Sequence, residues 1–314
     1  MTSAFCASGP LSLRIGILAI AVLVPALATV ECVRPPSAAA QTWQLPDSLD
    51  LGLAATLNAS APVLGIDNYG RTLGVWVYGF AVPGEIYWAR YSPGVGWGSK
   101  TRLDLHGLAD RVYGIDLAMN GSGSAYLAWY GQAGLYAAAY DPVQGWTRPV
   151  TIRPGPNPFI DFVGGLALGI DANRGGLMVW ANPNSDSIFY ATTADGASWT
   201  APQSIFDVHL QLGAMQFDSN AGGEAVLVWE RHPAILSPWN LYAARYDPST
   251  GWASPTPLST SPTYHSPTVA MNDSGAIVVA WVDNFTNFPN FDIYQRRYGA
   301  GQGPIASLSA RAEK

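Results

Sequence analysis

Cysteine is nearly absent from this chain of 314 residues, with two in all, Cys6 and Cys32. Cys6 lies in an N-terminal apolar segment that reads as a removable leader, so no disulfide within the mature chain is available to hold the fold together. Charge is scarce as well: Asp, Glu, Lys and Arg make up 12% of the residues and the net charge is −6. No cluster of Lys and Arg occurs, which argues against nucleic acid or an anionic membrane surface as the main partner. The four histidines fall in no HxH or HExxH spacing, and no alternating carboxylates of a calcium loop appear. No metal site and no cofactor are therefore expected. Glutamate is sparse, with Glu85, Glu224 and Glu230 the carboxylates of that type between the leader and the C-terminal tail.

What the chain has is tryptophan in register. Trp76, Trp129, Trp180, Trp229 and Trp281 are spaced by 53, 51, 49 and 52 residues, each closing an apolar run such as YLAW or VLVW. Trp43, Trp97, Trp146, Trp199 and Trp252 form a second register. Self-similarity near 50 residues, with several short strand-like runs per period, is the signature of a propeller blade. The expected fold is all-β, a five-bladed β-propeller over 42–308, followed by a tail over 309–314.

Each period reads as four strands. The first ends in Asp or Asn (Asp67, Asn120, Asp171, Asp218, Asn272), and a turn with Gly70, Gly123, Gly175, Gly222 or Gly275 follows. The second is the continuous apolar run expected of a strand covered on both faces. The third reads IYWARY, LYAAAY, IFYATT, LYAARY and IYQRRY, and the fourth carries the second tryptophan, usually with Pro three places on. The last period lacks that fourth strand. TWQLPDSL at 42–49 has its Trp, Pro and Leu in the spacing of GWASPTPL at 251–258, so the N-terminal strand is expected to close the last blade. Closure would leave no free edge.

Residues 1–28 read as a signal peptide, with IGILAIAVLVPALA behind Arg14 and small residues Ala26 and Ala28 at the cleavage position. The apolar stretch is short for a membrane span, and nothing later resembles one, so no integral span is expected in the mature chain. Export to the periplasm or the extracellular space follows. Residues 29–41 read as a flexible leader. Glu31 stands where a lipoprotein signal needs a small residue, which disfavours a lipid anchor at Cys32.

The turns YDPVQGW and YDPSTGW, with Asp141 and Asp247 five residues before Trp146 and Trp252, resemble the Asp-box turns of sialidase-type propeller blades. The resemblance covers four of the five repeats. It departs in placing Gly immediately before Trp, and TADGASW at 193–199 is one residue shorter. In that family these turns are structural and lie away from the catalytic face, so the resemblance implies blade geometry and no activity. The family's Arg-Ile-Pro motif has no counterpart beyond Arg153–Pro154 in TIRPGP.

Loop lengths point to one face as the site. Connections such as YGFAVPGE, ERHPAILSPWN and VDNFTNFPNFD within blades, and STSPTYHSP between them, are long and irregular, and they open on one face. His106, His209, His232 and His265 all lie there, with Trp239, Phe285, Phe288 and Phe291. Loops on a rigid scaffold are where binding residues concentrate, so His106, His209, His265 and the four aromatics are the ligand-binding candidates. Glu230, Arg231 and His232 are the candidate catalytic group, because Glu230 follows Trp229 at a strand end. The functional expectation is an exported, monomeric, non-catalytic propeller binding a glycan or a protein. Two alternatives stay open: a glycoside hydrolase, sialidase-like or five-bladed, which needs two carboxylates at suitable separation, and a cell-envelope scaffold.

Overall fold

A computed structural model describes residues 49, 59–78, 84–108, 111–131, 133–154, 165–182, 187–206, 212–231, 240–259, 265–283 and 292–299. All fall in one unit, Ser48–Lys314. They form five antiparallel sheets in chain order. The first strands are Ala59–Ile66, Val112–Met119, Leu166–Ile170, Leu212–Ser219 and Thr268–Met271. The second strands are Thr72–Tyr78, Ala125–Gly131, Gly176–Asn182, Ala225–Arg231 and Ile277–Asp283. The third are Glu85–Ser92, Gly134–Asp141, Ser187–Thr193, Asn240–Asp247 and Asp292–Tyr298.

The fourth strand is not the single element that the sequence suggests. In the first, second and fourth sheets it is broken into a two-residue strand ending in Trp97, Trp146 or Trp252 and a later strand, both pairing with the third. Pro149 and Pro255 sit at two of these breaks, and proline cannot donate to a ladder. In the third sheet the fourth strand, Gln203–Phe206, begins after Trp199.

The turn between the first two strands is one motif repeated five times. An Asp or Asn nine residues before the strand-closing tryptophan accepts, through its side-chain Oδ1, the amides two and four residues on. Asp67 takes Tyr69 and Arg71, Asn120 takes Ser122 and Ser124, Asp171 takes Asn173 and Gly175, Asn220 takes Gly222 and Glu224, and Asn272 takes Ser274 and Ala276. The residue three places on has positive φ: Gly70, Gly123, Arg174, Gly223 and Gly275. Three sequence assignments are thereby corrected. The fourth turn is built on Asn220 and Gly223 rather than Asp218 and Gly222. In the third turn Arg174, at φ 74°, takes the left-handed position in place of Gly175. Two bonds to the second sheet hold it: its carbonyl accepts the Tyr126 hydroxyl at 2.5 Å, and its guanidinium lies 3.3 Å from Asp141.

The core lies between sheets. The second strands of the middle three sheets turn alternate residues to the sheets before and after them. The pattern is a continuous apolar run because both faces are covered. Trp129, Trp180, Trp229 and Trp281 all point to the preceding sheet and are at most 6% exposed. Each stacks on an aromatic of its own third strand: Tyr136, Phe189, Tyr242 or Tyr294, with ring centroids 5.8 to 6.2 Å apart. Truncating one to Ala would cost about 3–5 kcal/mol.

Candidate functional site

Glu230 comes immediately after Trp229, where the other second strands have Val77, Tyr130, Ala181 and Val282. It is therefore the single carboxylate at this register position. The structure buries it, at 2% exposure, and engages both oxygens with backbone. Oε1 accepts the amide of His265 at 2.5 Å, and Oε2 accepts the amide of Ala214 at 3.1 Å. Ala214 lies in the register shift between Leu212 and Met215, where a bulge leaves an amide off the ladder. Burial alone pushes the Glu230 carboxyl up, but the facing His265 ring and the two amides outweigh it and hold it below its ordinary value.

His265, 0% exposed, opens the approach to the fifth sheet, and its carbonyl accepts the Val282 amide at 2.7 Å. Its Nδ1 lies 3.6 Å from Glu230 Oε1, and its Nε2 lies 3.2 Å from the hydroxyl of Ser259, itself 9% exposed at the end of the fourth sheet. Carboxylate, imidazole and hydroxyl thus stand in the order of a nucleophilic relay, closed inside the seam between the fourth and fifth sheets. Ser259 carried no sequence signal, because nothing local marks a strand-end serine as facing a histidine six residues on.

The structure brings Glu230 and His265 together and places the other described candidates elsewhere. Arg231 turns to its own sheet, its guanidinium 5.8 Å over the Tyr242 ring. His106 lies in the connection between the first and second sheets, its Nδ1 2.8 Å from Asp104 Oδ2, with φ 49°. That contact and the His106 amide hold the Asp104 carboxyl below its ordinary range. His209, His232, Trp239, Phe285, Phe288 and Phe291 lie outside the described residues, as do 1–28, 29–41 and 309–314. Among the described residues no group of three His, Cys, Asp or Glu side chains could hold a metal ion, and no helix is long and apolar enough to cross a membrane.

No protein-family model matches the sequence, and no curated protein does. Solved structures do. A polysaccharide lyase of family PL25, an ulvan lyase bound to -[GlcA(1-4)Rha3S]-, matches with a TM-score of 0.50 at 11% identity over 78% of this chain and 69% of its own. The NanB sialidase of Streptococcus pneumoniae matches with a TM-score of 0.42 at 12% identity over 67% of this chain, which spans 34% of the sialidase. A fucose-specific lectin from Aleuria aurantia matches with a TM-score of 0.42 at 13% identity, over 79% of this chain and 76% of the lectin. At these identities the likeness is one of fold: the chain is an all-β protein of antiparallel sheets whose solved neighbours are of propeller type.

Proposed function

We propose that this chain is an exported five-bladed propeller that binds a glycan on its long-loop face and does not catalyse. The observation that carries this reading is the state of Glu230, the strand-end carboxylate best placed for chemistry. A general acid needs a raised pKa and a free oxygen. Glu230 has a lowered one, and both of its oxygens accept backbone amides. Its work is to tie the end of the strand Ala225–Arg231 to Ala214 and His265. Binding then falls to the loop aromatics Trp239, Phe285, Phe288 and Phe291, whose rings suit the apolar faces of sugars. Export by residues 1–28 puts the face where extracellular polysaccharide is met.

The test is a glycan and polysaccharide array probed with the mature chain, with every spot also assayed for released sugar. Saturable binding without release is expected, lost on Trp239→Ala or Phe288→Ala. Release abolished by Glu230→Gln in a folded protein would replace this reading with a glycosidase. Silence on the array, with a stable partner recovered from the cell envelope, would replace it with a scaffold.

A further inference from the structure

Carboxylates and arginines meet at the ends of the seams where each first strand turns into the second. Between the first and second sheets the Arg71 guanidinium lies on the Asp67 carboxylate, Nε to Oδ2 at 2.5 Å, and donates across the seam to the Ser122 carbonyl at 3.0 Å. Between the second and third, Arg174 lies 3.3 Å from Asp141. Between the fourth and fifth, Arg245 pairs with Glu224 and donates to the Tyr298 hydroxyl at 3.3 Å. At the remaining described seam, between the third and fourth sheets, the carboxylate is Asp171. Its Oδ1 takes two amides of its own turn, and among the described residues none donates to Oδ2.

Register makes the first of these seams a template for the third. Asp67 and Asp171 open equivalent turns, and their Oδ2 atoms face Gly123 and Gly223 of the next sheet. Tyr140 and Tyr246 stand opposite Ala125 and Ala225. What differs is the filling. Four residues after the Asp, the first seam has Arg71 and the third has Gly175. Arg90, opposite Leu73, gives way to Thr192, opposite Leu177. Met119, opposite Ala125, gives way to Ser219, opposite Ala225. Large side chains therefore fill the first seam, where Arg90 also donates to the Pro142 carbonyl at 3.2 Å. The third holds a cavity of about 100 Å³, lined among others by Asp171, Gly175, Thr192, Ser219 and Tyr246. Asp171 is half-buried, so the cavity can be entered from solvent.

We propose that this cavity binds a guanidinium cation from outside the chain, in the place that Arg71 fills in the first seam. Asp171 Oδ2 is the counterpart of Asp67 Oδ2, and the carbonyls of Gly222 and Pro248 are the counterparts of those of Ser122 and Pro142. A planar fork of N–H donors meets a carboxylate and a carbonyl in fixed directions, whereas an ammonium is a compact point charge. Arg174, in the same turn as Asp171, is engaged with Asp141 and leaves the carboxylate to a ligand. A free guanidino compound and an arginine side chain of a polypeptide present the same group. The cavity lies at the opposite ends of the strands from the connections that carry the loop aromatics, so it does not rest on the glycan reading.

Ligand-observed NMR titration of the full chain with methylguanidinium, and with methylammonium as control, tests the proposal. Saturable binding of methylguanidinium is expected, with none of methylammonium at the same concentrations. Asp171→Asn should weaken binding by at least about 10-fold, the factor that one hydrogen bond to a charged group carries. The turn tolerates this change, because Asn120 and Asn220 already build it. Gly175→Arg supplies the guanidinium from within the chain, as Arg71 does beside Asp67, and should abolish binding with the thermal midpoint at or above that of wild type. Tighter binding of the peptide Gly-Arg-Gly than of methylguanidinium would identify polypeptide arginine as the source, and equal affinity a free guanidino compound. An equal response to both cations, no saturation with methylguanidinium, or unchanged affinity in either variant overturns the proposal.

Discussion

Replacing Glu230 with Gln is the perturbation that most directly separates a structural carboxylate from a reactive one. The wild-type side chain accepts two amides through two oxygens, at 2.5 and 3.1 Å, and is almost fully buried. Hydrogen bonds to a charged group are worth about 1.5–3 kcal/mol each, and a buried donor left unpaired costs about 1–3 kcal/mol. Gln keeps one acceptor and turns an NH2 toward the second amide, so one bond is lost and one donor is orphaned. A loss of about 2–4 kcal/mol at pH 7 follows. At ~2–4 °C per kcal/mol for a domain of this size, the midpoint falls by about 4–16 °C. The pH profile carries the mechanism. The folded pKa lies below the unfolded one, so the wild-type advantage is complete above the ordinary glutamate range and is lost as pH falls through the folded value. Thermal melts followed by tryptophan fluorescence from pH 7 to pH 3 should show the two proteins converging in acid. A variant within about 1 °C of wild type at pH 7, or a difference that stays constant down to pH 3, would refute the reasoning.

Asp116 should respond in the opposite sense. Burial on the first strand pushes its carboxyl up despite the bonds from the Leu168 and Leu117 amides, so stability declines as pH rises through the carboxylate range. Asp116→Asn keeps an acceptor for Leu168 and sheds the charge. Its midpoint at pH 7 should equal or exceed wild type by a few degrees, and a drop above about 5 °C would contradict this. Tyr126, whose hydroxyl donates to the Arg174 carbonyl at 2.5 Å, is pushed by burial up to about 12. The folded state keeps this phenol neutral while the unfolded chain ionises it, so stability should fall between pH 10 and about 12. In Tyr126→Phe that alkaline loss should shrink, and the midpoint at pH 7 should drop by an amount equivalent to about 1–3 kcal/mol; an unchanged alkaline limb would count against the assignment.

The sheets were legible because the features that define them are periodic. A strand-closing tryptophan every 49 to 53 residues marks the second strand of every sheet, and tyrosine-rich runs mark the third. Turn residues were legible where composition left one choice, as at Asp67–Gly70. In SNAGG and ANRGG several small or polar residues compete for the same position, and only the backbone decides that Asn220 starts one turn and that Arg174 turns left-handed in the other. Of the site, Glu230 stood out for its place after Trp229. Its fate did not, because the groups that claim its oxygens come from residues 16 positions earlier and 35 later. His265 looked like a loop histidine for the same reason: a local pattern carries no information about a neighbouring sheet.

Asp and Asn alternate along the first four turns for a reason that the seams make plain. Where the turn residue is Asp, as at 67 and 171, its side chain has no hydrogen to offer, and the next residue's amide reaches to the following sheet: Asn68 to the Gly121 carbonyl, Ala172 to the Ala221 carbonyl. Where it is Asn, as at 120 and 220, the side-chain NH2 makes the reach, to the carbonyls of Asp171 and Asn272 at 3.0 and 3.3 Å. The same two seams carry the added carboxylate ties from Asp116 to the Leu168 amide and from Asp218 to the Met271 amide, at 2.8 and 2.7 Å. Two kinds of seam therefore alternate along the four described seams, although at the Asn220 turn the Ala221 amide also crosses, to Asp273 Oδ1 at 3.2 Å. The Glu230 cluster was added to one seam of the second kind. It ties an already braced seam to the bulge at Ala214, so that the strand end at Glu230 is held from both of its neighbours.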